Sequence, residues 1–212
     1  MSVETSPVFL LDVSSGQPIA AALHDGITEQ HLIDWEDQWV PALLEAVNRM
    51  KSAGIDRTKW PQSRHWNWRN KAQGFGGALA NPGFSITCNG MTQGLMFLDL
   101  LKKARISSQG GKELVYIEYL ENAPWNRRHI AGDKVRFAGV GSILIRAAIE
   151  LSREEGFKGR IGLHSLPQAN AWYANTCGMT DLGADQNYPS QLRYFEMTPE
   201  QAEVFISKGK TP

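Results

Sequence analysis

The sequence is poor in cysteine. Only Cys88 and Cys177 occur in 212 residues. They have neither the repeated spacing of a disulfide framework nor the close pairs of a zinc site, so no metal centre is expected. Two free thiols in a chain of this size suggest a reducing compartment, and the cytoplasm is the expected location. No run approaches the roughly 18 consecutive apolar residues of a membrane-spanning helix, so no membrane association is expected. The opening stretch MSVETSPVFLLDV lacks the basic start and apolar core of a secretory signal. Charge of one sign is not in excess either: 22 Lys and Arg face 22 Asp and Glu. A broad basic face for nucleic acid is therefore not expected. Internal repeats and low-complexity segments are absent.

What is present is the composition of a globular protein, 42% apolar and 21% charged. The length suits one domain, residues 1–212, with an N-terminal elaboration over 1–83 and a core over 84–212. Pro7–Val13 and Ile19–Leu23 read as short strands. Thr28 reads as a helix N-cap, followed by a stripe of Leu32, Trp35 and Trp39 that Pro41 should break, kink or restart. A second stripe stops at Gly54. The stretch from Lys59 to Lys71 is rich in tryptophan and basic residues, and Gly74, Gly76 and Gly77 follow it. Beyond Pro82 strands dominate: Phe84–Cys88, an Asn89-Gly90 hairpin turn, Gln93–Ala104 and Lys112–Leu120. In the second of these, Leu95, Phe97 and Leu101 alternate with Met96, Leu98 and Leu100, so both faces should be covered. Thr198-Pro199-Glu200-Gln201 is a capping-box pattern for a closing helix. The order from residue 84 is β-β-β-α-β-α-β-β-α, a mixed α/β layout.

The most informative stretch is Arg136–Gly156, RFAGVGSILIRAAIELSREEG. Gly139-Val140-Gly141 is a tight glycine step. Val140, Ile143, Leu144, Ala147, Ala148 and Leu151 then fall on one helical face. A glycine turn at a helix N-terminus binds anions, because the first N–H groups have no partner in the helix and the macrodipole favours negative charge. No lysine follows, which excludes a Walker A loop. Leu144 stands where a dinucleotide fingerprint needs its third glycine or alanine.

Arg136-x-x-Gly139-x-Gly141 resembles the pyrophosphate-binding signature of the GNAT superfamily of acyl-CoA-dependent N-acyltransferases. The likeness extends over roughly residues 84–197. Glu113–Leu120 matches the strand before the loop, Tyr119–Pro124 its end, Arg160–His164 the following strand, and Ala171–Met179 the short helix with its aromatic-Tyr pair. Three departures stand out. The segment from Leu120 to Arg136 is long, Ser165-Leu166-Pro167 occupies the region where an Asn is usual, and the step from Tyr173 to Gly178 is one residue too long.

The resemblance implies an α/β (α+β) fold with a mixed, mostly antiparallel sheet flanked by helices. It also implies an acetyl-CoA-dependent N-acetyltransferase acting on a primary amine of a small molecule or peptide. A catalytically silent acyl-CoA sensor or scaffold is the alternative. A homodimer is compatible with the sequence. On the resemblance, Arg136, Phe137, Ala138, Gly139, Val140, Gly141 and Ser142 would hold the pyrophosphate, with Leu120, Asn122 and Asn170 as further cofactor contacts. Tyr173 would protonate the leaving thiolate. On strand periodicity, Glu118 shares a face with Leu114, Tyr116 and Leu120 and is the candidate base; Glu121 lies on the opposite face unless a bulge re-aims it, and His164 is a further candidate. Residues 1–83 would wall the acceptor side, with Trp66, Trp68 and Glu121 toward the substrate. The same tryptophans also read as local packing.

Overall fold

The structure is a computed structural model that describes residues 4–75 and 78–208. Gly76 and Gly77 of the glycine-rich stretch lie outside the described residues. Among the described residues nine strands, numbered β1 to β9 in chain order, form a sheet in the order β6-β1-β2-β3-β4-β5-β7-β9-β8. The pairs β1–β2, β1–β6, β2–β3, β7–β9 and β8–β9 are antiparallel, and β5–β7 is parallel. A parallel pair needs a long crossover, and a helix supplies it here. The fold is thus the mixed, mostly antiparallel α/β class expected. The chain divides into two compact units, which are described in turn.

The first unit comprises the described residues of Met1–Ala78 with Pro82–Met96 and Leu120–Leu144. Strand β1 (Thr5–Asp12) turns back into β2 (Gln17–His24). Thr28 precedes helix α1 (Glu29–Asp34). The helical path does not break at Pro41. It passes through a π-turn over Trp35–Trp39, closed by Val40 N–H to Trp35 O, and continues as α2 (Val40–Ser52) with Pro41 in its first turn. Proline has no N–H and crowds the preceding turn, and the wider turn accommodates it. Trp35 and Trp39 are buried, and the Trp39 indole N–H donates to Thr92 O at 2.9 Å. Gly54 ends the helix at φ 68°. The tryptophan-rich stretch forms two 3₁₀ turns and helix α3 (Trp68–Phe75). Strands β3 (Gly83–Cys88) and β4 (Met91–Asp99) meet at Asn89 (φ 52°) and Gly90 (φ 72°), the left-handed pair of a type I′ hairpin.

Strand β5 (Val115–Asn122) begins in the second unit and ends in the first. The long segment after it is not an open loop. It forms a 3₁₀ turn at Pro124–Asn126, helix α4 (Arg128–Ala131) and a 3₁₀ turn at Gly132–Lys134, and then β6 (Phe137–Ala138), paired with Asp12 and Leu11 of β1. Buried Gln93 anchors this segment, its Oε1 accepting from Trp125 Nε1 at 2.8 Å and Asn126 Nδ2 at 2.9 Å. Helix α5 (Val140–Glu154) follows.

The second unit comprises Leu79–Asn81, Phe97–Tyr119 and the described residues of Ile145–Pro212. Strands β7 (Ile161–Ser165), β8 (Thr180–Ala184) and β9 (Arg193–Met197) and helix α6 (Pro199–Lys208) complete it. Leu114, Ile149, Ile161, Phe195 and Met197 are fully buried in its core. The capping box is formed: Thr198 N–H donates to Gln201 Oε1 at 2.9 Å and Gln201 N–H to Thr198 Oγ1 at 3.3 Å. Two expectations need correction. β4 stops at Asp99, five residues short of Ala104, because the Asp99 carboxylate accepts the Leu101 N–H at 2.8 Å and turns the chain. Leu101 is consequently 74% exposed rather than covered. β5 likewise starts at Val115 rather than Lys112.

Candidate active site

In the first unit the chemistry-bearing element is the start of α5. Gly139 has φ 99°, a conformation that a side chain would strain. The first intrahelical bond runs from Ile143 N–H to Gly139 O at 3.0 Å. The N–H groups of Val140, Gly141 and Ser142 therefore precede the helical ladder and carry the positive end of its dipole. Arg136 is exposed, with its guanidinium 5.6 Å from the Trp125 ring centroid. Its backbone is fixed on both sides, N–H to Trp125 O at 3.0 Å and O accepting from Val13 N–H at 2.9 Å. Phe137 is buried and its N–H donates to Asn126 Oδ1 at 3.0 Å; Ala138 pairs with Leu11.

Gly94 of β4, which the sequence reading passed over, lets this helix start approach the sheet. A Cβ there would stand 2.6 Å from Val140 Cγ1, 3.1 Å from Leu144 Cδ1 and 3.8 Å from Asn122 Oδ1. A glycine inside a strand was the available signal. Asn122 Oδ1 is buried and has no hydrogen-bond partner. Leu120, two residues earlier on β5, is half-buried.

Trp66, Trp68 and Glu121 do come together, in a packed arrangement. Trp68 is 0% exposed and its indole N–H donates to Glu121 Oε2 at 2.6 Å. Arg127 Nη1 reaches Glu121 Oε1 at 3.1 Å and Ser63 Oγ at 2.8 Å. Trp66 is half-buried and stands edge-on to Trp68, and the cation over its ring is the chain's own Lys71, 4.9 Å from the centroid. Glu121 is buried, as a carboxylate on the covered face of β5 with two charge-assisted partners. Arg127 is a residue the sequence reading missed, because its partners lie far away in sequence.

In the second unit the pairing of β5 with β7 runs through Val115–Ile161, Tyr116–Gly162 and Ile117–Leu163 and stops there, although β7 continues to Ser165. Glu118, the first residue past the paired stretch, is half-buried. Tyr173 lies in a π-turn over Trp172–Thr176, closed by Cys177 N–H to Trp172 O at 3.0 Å. The one-residue excess between Tyr173 and Gly178 is absorbed as this wider turn. Where a short helix was expected over Ala171–Met179, the chain forms a 3₁₀ turn at Pro167–Ala169 and then the π-turn at Trp172–Thr176. Tyr173 is 7% exposed, edge-on to Trp172 and tilted against Phe195. Burial raises the phenol's pKa above its ordinary value, with the nearby Cys177 adding to it, so the hydroxyl keeps its proton. Burial also pushes the Cys177 thiol up to about 12, which removes it as a nucleophile. Among the described residues Asn170 Oδ1 is a further buried side-chain oxygen without a hydrogen-bond partner.

His164 is no lone strand-end residue. Its side chain is 2% exposed. Its Nδ1 lies 2.6 Å from the Tyr116 hydroxyl and its Nε2 3.0 Å from Asp185 Oδ2. The Tyr188 ring stacks on it at 3.6 Å.

Neither a family model nor a curated protein matches the sequence. Solved structures do. The GNAT domain of S. lividans PAT is 16% identical, with 91% of this chain and 96% of that one covered and a TM-score of 0.53. Mycobacterium smegmatis RimJ in complex with CoA-disulfide is 14% identical, with 99% and 98% covered and a TM-score of 0.50. These likenesses show that the chain has the GNAT fold. Among the described residues no helix is long and apolar enough to cross a membrane.

Proposed function

We propose that the protein is an acetyl-CoA-dependent N-acetyltransferase that acts on a primary amine. The observation that carries this reading is the first turn of α5. Three N–H groups stand ahead of the ladder, Gly139 is left-handed, Arg136 is exposed beside them, and the orphaned oxygen of Asn122 lies against the same turn. The N–H groups and Arg136 suit a pyrophosphate. An oxygen acceptor repels phosphate and suits an amide N–H, so Asn122 suits the amide-bearing arm of the same cofactor. A CoA species carries both a pyrophosphate and amide N–H groups.

Acetyl-CoA supplies a thioester carbonyl. The chain's residues do the rest: Glu118 takes the amine's proton, and the buried Tyr173 hydroxyl gives its proton to the departing sulfur. In this reading an N–H group near the end of β5 would meet the developing oxyanion.

Thermal melts of the full chain with CoA, acetyl-CoA, ATP and NAD test the cofactor. Stabilisation by the two CoA species alone is expected, and none from either sinks the reading. Release of free thiol from acetyl-CoA with spermidine, tyramine, lysine and a peptide with a free N-terminus tests the chemistry. Binding of acetyl-CoA without turnover of any amine would favour the silent sensor instead.

A further inference from the structure

Gln93, near the start of β4, is 0% exposed, an amide in a strand that otherwise buries Leu95, Met96, Phe97 and Leu98. An enclosed amide is tolerated when its hydrogen bonds are made, and here both ends are satisfied. Its Nε2 donates to Cys88 O at 3.3 Å and to Met91 O at 3.2 Å, on the two sides of the hairpin turn. Those carbonyls only accept and the Trp125 indole only donates, so the amide has one orientation. Its Oε1 faces Trp125 Nε1 at 2.8 Å and Asn126 Nδ2 at 2.9 Å. Each of the two residues it clasps holds one residue ahead of Gly139. Trp125 O accepts the Arg136 N–H at 3.0 Å, and the Trp125 ring centroid lies 5.6 Å from the Arg136 guanidinium. Asn126 Oδ1 accepts the Phe137 N–H at 3.0 Å. None of the roles above uses Gln93, Trp125 or Asn126.

We propose that Gln93 is a positioning residue for the cofactor: through Trp125 and Asn126 it presets Arg136 and Phe137, and with them the first turn of α5, for a pyrophosphate. The proposal rests on the acetyltransferase reading and gives the long segment between Leu120 and Arg136 a task within it. Donors that already stand in place need no ordering when the ligand arrives, and that saving appears as affinity. The β1 side of the turn is held separately, by Val13 N–H to Arg136 O at 2.9 Å and by the pairing of β6 with Leu11 and Asp12. Without Gln93 the helix keeps that support, while Trp125 and Asn126 lose the acceptor that fixes them. CoA must then order the segment as it binds. The clasp contributes no group to the proton transfers, so its loss raises the concentration of cofactor needed and leaves the rate of the bound complex alone.

The test uses the full chain, with CoA titrated by calorimetry and acetyl-CoA turned over with the four amines named above. Gln93→Met keeps the length of the side chain and removes both its donor and its acceptor. It should raise Kd for CoA and KM for acetyl-CoA about tenfold, with kcat at saturating acetyl-CoA within about twofold of wild type. Asn126→Ala cuts the same clasp outside β4 and should raise Kd in the same direction. The double variant should bind no more weakly than about twofold beyond the weaker single variant, because both changes break one strap. The Trp125 indole ¹H–¹⁵N resonance, identified by its loss in Trp125→Phe, should shift when CoA is added to the wild type. Folded Gln93→Met and Asn126→Ala chains that bind CoA within about twofold of wild type overturn the inference and leave the acetyltransferase reading intact. So does a loss that falls on kcat rather than on Kd and KM. A wild-type chain that does not bind CoA overturns that reading, and the positioning role with it.

Discussion

Gly94 and Val140 meet where no side chain on residue 94 fits: a Cβ there would lie 2.6 Å from Val140 Cγ1. The contact seats the first turn of α5 against β4 and beside Asn122. Gly94→Ala should displace that turn, cost roughly 1–3 kcal/mol from overpacking, and weaken CoA binding. Gly94→Ala with Val140→Ala should recover both. Denaturant melts and a CoA titration read the two effects, and a tight-binding Gly94→Ala protein would refute the seating argument.

Tyr173→Phe should leave CoA binding unchanged while lowering kcat, because only the buried hydroxyl is removed. A loss of about 10²–10⁴ is expected of a group that transfers a proton in the transition state. An unchanged kcat would reassign the proton donor. Cys177→Ser should be nearly silent in the same assay, since burial keeps that thiol protonated.

Arg127→Met should be among the more destabilising single changes in the first unit, by about 3–5 kcal/mol, since it leaves the buried Glu121 facing the Trp68 indole without its guanidinium. Adding Glu121→Gln should return part of the loss. Urea midpoints of the single and double variants check this, and equal losses in both would show that the charge pair is not the cause.

The structure should weaken in acid through His31. Its Nδ1 accepts the Thr28 N–H at 3.0 Å at the start of α1, and burial holds its pKa down at about 4, with His24 close by. The folded value lies below the ordinary 6.5, so the unfolded chain binds the proton more readily. The stabilisation is complete above about pH 6.5 and is lost as pH falls toward 4. Denaturant midpoints from pH 8 to 4 should fall over that window. His31→Gln, a capping-box residue that does not titrate, should flatten the fall; an unaltered pH dependence would assign it elsewhere.

Glu196 holds the loop after β4 from within the core. Its carboxylate is 0% exposed and accepts from the Arg105 and Ile106 N–H groups, Gln109 Nε2 and the Tyr194 hydroxyl, at 2.6 to 3.0 Å. Glu196→Gln turns one acceptor into a donor facing donors and should cost about 1–3 kcal/mol, seen as a lower Tm.

Local chemistry is legible along the chain, and so most elements and the glycine turn of α5 follow from sequence alone. Helical spacing marks the α5 stripe, Asn-Gly marks the hairpin at residues 89 and 90, and Thr198 to Gln201 marks the closing helix, because each depends on neighbours within a turn or two. The one-residue excess after Tyr173 was also visible, though its resolution as a π-turn was not. What tertiary structure decided is where partners come from distant segments. Trp68 meets Glu121 across 53 residues, Tyr116 meets His164 across 48, and the Arg105 N–H meets Glu196 across 91. No period or spacing encodes such pairs. A tryptophan that could line a pocket and one that is wholly enclosed have the same local sequence, and a strand-end histidine looks alone until the fold sets a tyrosine and an aspartate on its two nitrogens.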